Sequence, residues 1–261
     1  MIVDGRALAK EVLARAKTRA EKLERQPKVV AYVTEDPTLV TRSYLNIKKK
    51  SAEAAGCLFE ESNSPTFFRD ADAAIIQLPT TSDAMAMLDL IDLEKDADVL
   101  SKDARKKFER GDADALLPPV VAAVRKILEY GNVVVAGKKV VVIGSGFLVG
   151  APVAVWFKQQ HAEVVVLTKE SENMLAVLST ADIVVSGAGV PYLIKPEHLK
   201  QGVVLIDAGT SESDGAIVGD ADPSCAEKCS VFTPVPGGVG PLAVACLFEN
   251  AVLLAVRANG Q

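Results

Sequence analysis

KKVVVIGSGFLVGAPVAVWF, residues 138–157, places four consecutive β-branched residues before Gly144, Gly146 and Gly150, with an apolar helical stretch after them. Short β-branched runs read as buried strands. Glycines between such a strand and a helix permit a tight turn and let backbone N–H groups approach a pyrophosphate at the positive end of the helix. The spacing G-x-G-x-x-x-G is one residue longer than the usual dinucleotide fingerprint, but strand, loop and helix fall in the required order.

The alternation continues outward. Strands at 139–143, 163–167, 182–186 and 203–207, separated by helices at 150–160, 171–178 and near 196–200, predict a parallel sheet wound by right-handed crossovers, a Rossmann-like α/β domain. In such a sheet ligands sit at the carboxyl ends of the strands. Candidate cofactor contacts are therefore Gly144, Ser145, Gly146 and Val149 in the first loop, Thr168 and Lys169 after the second strand, and Gly187, Ala188, Gly189 and Val190 in the turn SGAGVP. Lys169 with neighbouring hydroxyls suits a 2′-phosphate and hence NADP. Glu170 stands one step late for the carboxylate that holds the ribose of NAD, so spacing leaves both cofactors open.

Upstream, a helix at 4–25, a strand at 28–33, a helix at 41–55 stopped by Gly56, a strand at 73–79 and a helix at 82–92 predict a second α/β domain. The charge-rich segment 93–117 reads as loop plus helix, and 120–131 as an amphipathic helix closed by Gly131. The tail LAVACLFENAVLLAVRA is a helix too apolar to hang free, and docking it on the first domain gives a division into 1–119 plus 240–261 and 120–239. In TRSYLNIKKKS, residues 41–51, Tyr44 and Lys48 share a helix face, and Lys49 and Lys50 are turned from it by about 100° and 200°. That spacing fits a solvated basic face as well as a reactive lysine.

Composition excludes several classes. A net charge of -5 over 261 residues gives no overall attraction to nucleic acid or an anionic membrane. The first 25 residues lack the apolar core of a signal peptide, and no run approaches about 18 uninterrupted apolar residues, so a cytoplasmic protein is expected. Cys57, Cys225, Cys229 and Cys246 are scattered, and His161 and His198 lie far from them in sequence, so neither a disulfide framework nor a metal site is expected.

TPVPGGVGP, residues 233–241, carries three prolines and three glycines and fixes an unusual backbone directly before a helix. With this loop, Gly144 to Pro152, Ala181 to Pro191, the Tyr44/Lys48 pair, the strand end Gln77-Leu78-Pro79 and the turn Lys95-Asp96-Ala97-Asp98, the chain resembles the bifunctional methylenetetrahydrofolate dehydrogenase/cyclohydrolases of the FolD type. Matches run from Val3-Asp4-Gly5 to Asn250.

The resemblance implies an N-terminal folate-binding domain and a nicotinamide domain joined by long helices with a cleft between. It implies oxidation of 5,10-methylenetetrahydrofolate with NADP, NAD being possible, and hydrolysis of the methenyl product to 10-formyltetrahydrofolate. Lys48 would be the catalytic lysine, Tyr44 and Gln77 would shape the same cleft, Asp98 would hold the pterin edge, and Pro236, Gly237 and Gly238 would contact substrate. A homodimer formed through the nicotinamide domain is also implied. Two other readings are a nicotinamide-dependent dehydrogenase of another small substrate and a folate- or nucleotide-binding protein lacking one or both activities. The chain departs from the family at Gly144-Ser145-Gly146, where G-R-S is usual, at Ala115 to Pro118, where P-C-T-P is usual, and at Val99-Leu100, where G-F is usual.

Overall fold

The computed structural model describes residues 1–35, 37–78, 82–213 and 216–260, so Pro79 of the Gln77-Leu78-Pro79 strand end lies outside the described residues. The chain forms two compact units, Ala9–Pro119 with Val244–Gln261, and Met1–Leu8 with Val120–Ala243.

The first unit holds most of α1 (Gly5–Ala20), then β1 (Lys28–Tyr32), α2 (Leu39–Ala54), β2 (Leu58–Ser62), β3 (Ala73–Ile76), α3 (Ser82–Ala86) and α4 (Lys102–Arg110). Its sheet has the order β2-β1-β3 with both pairs parallel. Thr38 starts α2 by accepting a hydrogen bond from Thr41 N at 3.1 Å, the usual side-chain satisfaction of an orphan helix amide. β3 is buried throughout, whereas β2, LFEES, is half-exposed and charged, which hides it from a search for apolar runs. The helix expected at 82–92 is instead α3 followed by a 3-10 turn at Met87–Leu90.

The second unit holds α5 (Pro119–Tyr130) from Val120 on, β4 (Lys139–Ile143), α6 (Gly150–Gln159), β5 (Glu163–Leu167), α7 (Met174–Leu178), β6 (Ile183–Ser186), β7 (Val203–Asp207), the hairpin of β8 (Ser211–Ser213) and β9 (Ala216–Val218), and β10 (Cys229–Phe232). The main sheet runs β10-β7-β6-β4-β5, all parallel. Val141, Ile143, Val184 and Leu205 are buried in its core. The chain steps from β4 to β5 on one side and then crosses to β6 on the other. That reversal opens a crevice at the carboxyl ends of β4 and β6, where an open α/β sheet takes its ligand. Two expected helices shrink: the first to α7 behind a left-handed Asn173, and the second to a 3-10 turn at Pro196–His198.

The sequence reading assigns residues 1–8 to the first domain, but they join the second unit. Val3 N donates to Phe232 O at 2.8 Å and Phe232 N donates to Met1 O at 2.9 Å, adding a strand-like rung beside β10. Gly5 packs so tightly on the next loop that a Cβ there would stand 1.9 Å from Gly238 O.

α8 (Val239–Ala258) is long and apolar enough by composition to cross a membrane, with a mean hydropathy of 2.0. Its apolar surface is used inside the protein: Cys246, Phe248, Ala251 and Val252 are fully buried, and the Phe248 ring meets Phe59 edge-on at 6.2 Å. Asn250, also buried, donates through Nδ2 to Ala97 O at 2.9 Å and Leu117 O at 3.0 Å. Asn250→Ala would leave both carbonyls unpartnered by that amide, and urea unfolding should show a loss of about 2–4 kcal/mol; an unchanged midpoint would show that water replaces the amide freely.

Candidate active site

In the first unit, α2 presents Tyr44 and Lys48 from one face, with Tyr44 exposed and Lys48 half-buried. The turn after Lys95 contains two aspartates with different tasks. Asp96, 1% exposed, accepts from Leu100 N at 2.9 Å and Ser101 N at 2.7 Å and so holds the turn. Asp98 is left for electrostatic contact with Lys48. Burial lowers the Lys48 pKa, an effect that the Asp98 charge opposes. Burial raises Asp98 to about 6, an effect that Lys48 opposes and Asp96 reinforces. The next residue, Val99, is left-handed at φ 56° with its side chain buried. For a β-branched residue this costs roughly 1–2 kcal/mol, which the Asp96 bonds beside it help to offset.

Gln77 is buried at the end of β3. Its Nε2 donates to Leu78 O at 2.6 Å, while its Oε1 is buried without a hydrogen-bond partner among the described residues. A buried amide oxygen left unpaired is costly, and an acceptor in that condition suits a donor brought by a ligand. A separate cavity of about 250 Å³ in this unit is walled by Asp96, Val99, Leu116 and Leu254, and neither Lys48 nor Asp98 lines it.

In the second unit the glycine loop joins β4 to α6. Gly144 has φ +95°, and a Cβ on Gly150 would stand 2.0 Å from Gly144 O, so these two glycines are required by the loop itself. Gly146 is different, because a Cβ there would meet nothing within 4 Å. Residues 145–148 are exposed, and Val149, at the N-cap of α6, provides no side-chain cap. Uncapped amides beside an open glycine fit a pyrophosphate. Val149 also packs on the neighbouring turn, where a Cβ on Gly187 would come within 2.6 Å of its Cγ1.

That turn is held by a carboxylate from elsewhere in the chain. Asp220, fully buried, accepts from Ser186 Oγ at 2.6 Å, Ala188 N at 2.7 Å and Val190 N at 2.8 Å. Gly187, Ala188, Gly189 and Val190 are thus fixed beside the glycine loop. Thr168 and Lys169 follow β5 in an exposed turn, with Thr168 Oγ1 donating to Glu170 Oε2 at 2.6 Å. Pro236 follows a cis peptide bond, and Gly237, at φ +109°, and Gly238 pack against Arg6 and Gly5.

Residues 118–259 match the family described as tetrahydrofolate dehydrogenase/cyclohydrolase, NAD(P)-binding domain. The chain belongs to this family. The Bifunctional protein FolD of Hydrogenobaculum sp. (strain Y04AAS1) is 35% identical, over 96% of this chain and 97% of that protein. Among solved structures, the bifunctional FolD enzyme of Campylobacter jejuni superposes with a TM-score of 0.91 at 26% identity, covering 99% of each chain. The Trypanosoma brucei enzyme, solved with NADP cofactor and an inhibitor, superposes with a TM-score of 0.90 at 29% identity, covering 100% of this chain and 99% of that one.

Val99, where the resemblance leads to an expectation of glycine, keeps the left-handed backbone that glycine adopts without strain. Sequence reasoning names Asp96 and Gly5 only as parts of motifs and does not name Asp220, and the positioning role of all three escapes it. Asp96 is disguised by its neighbour Asp98. Asp220 lies about thirty residues from the amides it accepts, so no local pattern reveals it. Asp220→Ala should cost about 2–4 kcal/mol in thermal or urea unfolding and weaken dinucleotide binding, since two turn amides lose their buried acceptor; stability and binding both unchanged would mean that another group holds the turn.

Proposed function

We propose that the chain oxidises 5,10-methylenetetrahydrofolate to the methenyl cation with a nicotinamide dinucleotide and hydrolyses that cation to 10-formyltetrahydrofolate, with Lys48 central to the second step. The observation that carries the assignment of Lys48 is its half-buried place on the face of α2 shared with Tyr44, where burial lowers its pKa and the Asp98 charge opposes that shift. The bound dinucleotide supplies a hydride acceptor, and the oxidation needs positioning more than proton transfer. Hydrolysis needs a proton removed from the attacking water, and a partly desolvated lysine reaches its neutral form below its ordinary range. Gln77 would orient donors through its Oε1, which has no partner among the described residues, without adding a charge that would raise the lysine again. Asp98 accepts from the pterin amino group and ring N–H, a two-point contact that an ionised carboxylate supplies. Pro236, Gly237 and Gly238 remain proposed substrate contacts, and within their own unit Arg6 lies behind Gly237.

The dinucleotide would lie with its pyrophosphate on Gly144, Ser145, Gly146 and Val149, flanked by Thr168 and Lys169 and by Gly187 to Val190. The division proposed for this function follows the two compact units, Ala9–Pro119 with Val244–Gln261 for folate and Met1–Leu8 with Val120–Ala243 for the dinucleotide. We place the protein in the cytoplasm, where its reduced folates and dinucleotides circulate. A homodimer through the second unit is supported by β5, an edge strand whose Val166 is exposed and whose Val164 and Val165 are half-buried. Val166→Glu should convert a dimer to a particle of about 27.6 kDa in light scattering; a wild-type protein already at that mass would contradict the dimer.

Lys48→Met should abolish methenyl hydrolysis, with a loss of at least about 10²-fold, while hydride transfer persists at a reduced rate. Undiminished hydrolysis would remove Lys48 from the mechanism. The pH profile gives an independent check. Because the Asp98 pKa is raised to about 6, the carboxylate protonates as pH falls through that value and the folate KM should rise there. In Asp98→Asn the inflection should vanish and KM should be high at every pH.

A further inference from the structure

We propose that Glu170 sets the dinucleotide preference and selects NAD over NADP. The proposal rests on the reading of residues 144–150 as a pyrophosphate loop. β4 and β5 pair with Ile143 opposite Leu167, and Gly144 N donates to Leu167 O at 2.8 Å. The glycine loop and the turn after β5 therefore leave the sheet side by side. A ribose attached to a pyrophosphate on that loop reaches this turn, which is why an acidic residue at the end of this strand selects unphosphorylated ribose in Rossmann-type sites.

By count along the chain Glu170 is too far on. The turn cancels the offset. Glu170 N donates to Thr168 Oγ1 at 3.3 Å and Thr168 Oγ1 donates to Glu170 Oε2 at 2.6 Å, which folds the carboxylate back to the end of the strand. Thr168 N donates to Ser171 Oγ at 2.9 Å and closes the turn from the other side. The Thr168 hydroxyl, which the sequence offers as a phosphate ligand, is committed to the carboxylate. Its hydrogen bond also holds the Glu170 pKa below the usual range, so the group is an anion at neutral pH.

A carboxylate in that place accepts from the 2′- and 3′-hydroxyls of NAD and repels the 2′-phosphate of NADP. Compensating positive charge is scarce. Residues 144–150 contain no cation, and residues 168–172 set one lysine against two glutamates. Lys169 is almost wholly exposed and its Nζ lies 3.8 Å from Glu170 Oε1, so its charge is directed at the carboxylate.

The test is calorimetric titration of the full chain with NAD+ and with NADP+, for the wild type and for Glu170→Gln. The glutamine keeps an acceptor for Thr168, and a melting curve checks that the fold is unchanged. Wild-type protein should bind NAD+ at least about tenfold more tightly than NADP+, and the gap should narrow as salt is raised because the site is exposed. Glu170→Gln should reduce the ratio to about threefold or less, chiefly by tightening NADP+. Equal or tighter NADP+ binding by the wild type, or a ratio unchanged in the variant, overturns the role of Glu170 and leaves the loop assignment intact. Failure of both dinucleotides to bind overturns the loop assignment and this proposal together.

Discussion

Every loop at the end of a parallel strand carries backbone amides that the sheet no longer satisfies, and buried amides must find acceptors. This chain meets the requirement with buried aspartates. Asp96 accepts from Leu100 and Ser101 N–H, Asp207 from Gly209 and Ala221 N–H, and Asp220 from Ala188 and Val190 N–H. The Asp96 and Asp220 bonds fix turns whose neighbouring residues carry the proposed chemistry. Burial raises Asp207 to about 6. Such a group lends its stability below the ordinary carboxylate range and loses it as pH rises through about 6, so the stability of its turn falls across that window.

Division of labour within one turn explains how a charged pair survives at the proposed folate site. If Asp98 capped its own turn, its charge would be spent on main-chain amides. Asp96 takes that duty, and Asp98 remains available to Lys48 and to a ligand. The left-handed Val99 belongs to the same arrangement, since the Asp96 bonds on one side and the Asn250 bond to Ala97 O on the other hold the backbone where glycine would sit more easily. Desolvation then moves the two groups in opposite directions, lysine down and carboxylate up, and their mutual attraction limits both shifts.

Much of this was legible in the sequence, for physical reasons. Strands β4 and β7 are central and buried on both faces, so they are uninterrupted β-branched or aliphatic runs, and their limits were read without error. β2 and β10 were missed because one is a charged edge strand and the other, CSVF, buries only its last two residues and so lacks an apolar run. Residues 1–8 were misplaced because their partner, Phe232, is some 230 residues away in sequence and no periodicity encodes such a rung. Gly144, Gly146 and Gly150 marked the loop between β4 and α6, yet which glycines serve the fold and which face open space required coordinates. Glu170 looked misaligned in the sequence because a count of residues cannot see a side chain folding back on Thr168.

The central claim is that a dinucleotide loop and a desolvated lysine in one chain carry two successive steps on the same folate. The measurement that tests it most directly follows absorbance of the purified protein with 5,10-methylenetetrahydrofolate and NAD+ or NADP+, and then follows decay of added methenyltetrahydrofolate without dinucleotide. Reduction of a dinucleotide together with accelerated methenyl decay is the predicted result. If neither rate exceeds that of buffer, the chain is at most a binder and the account fails.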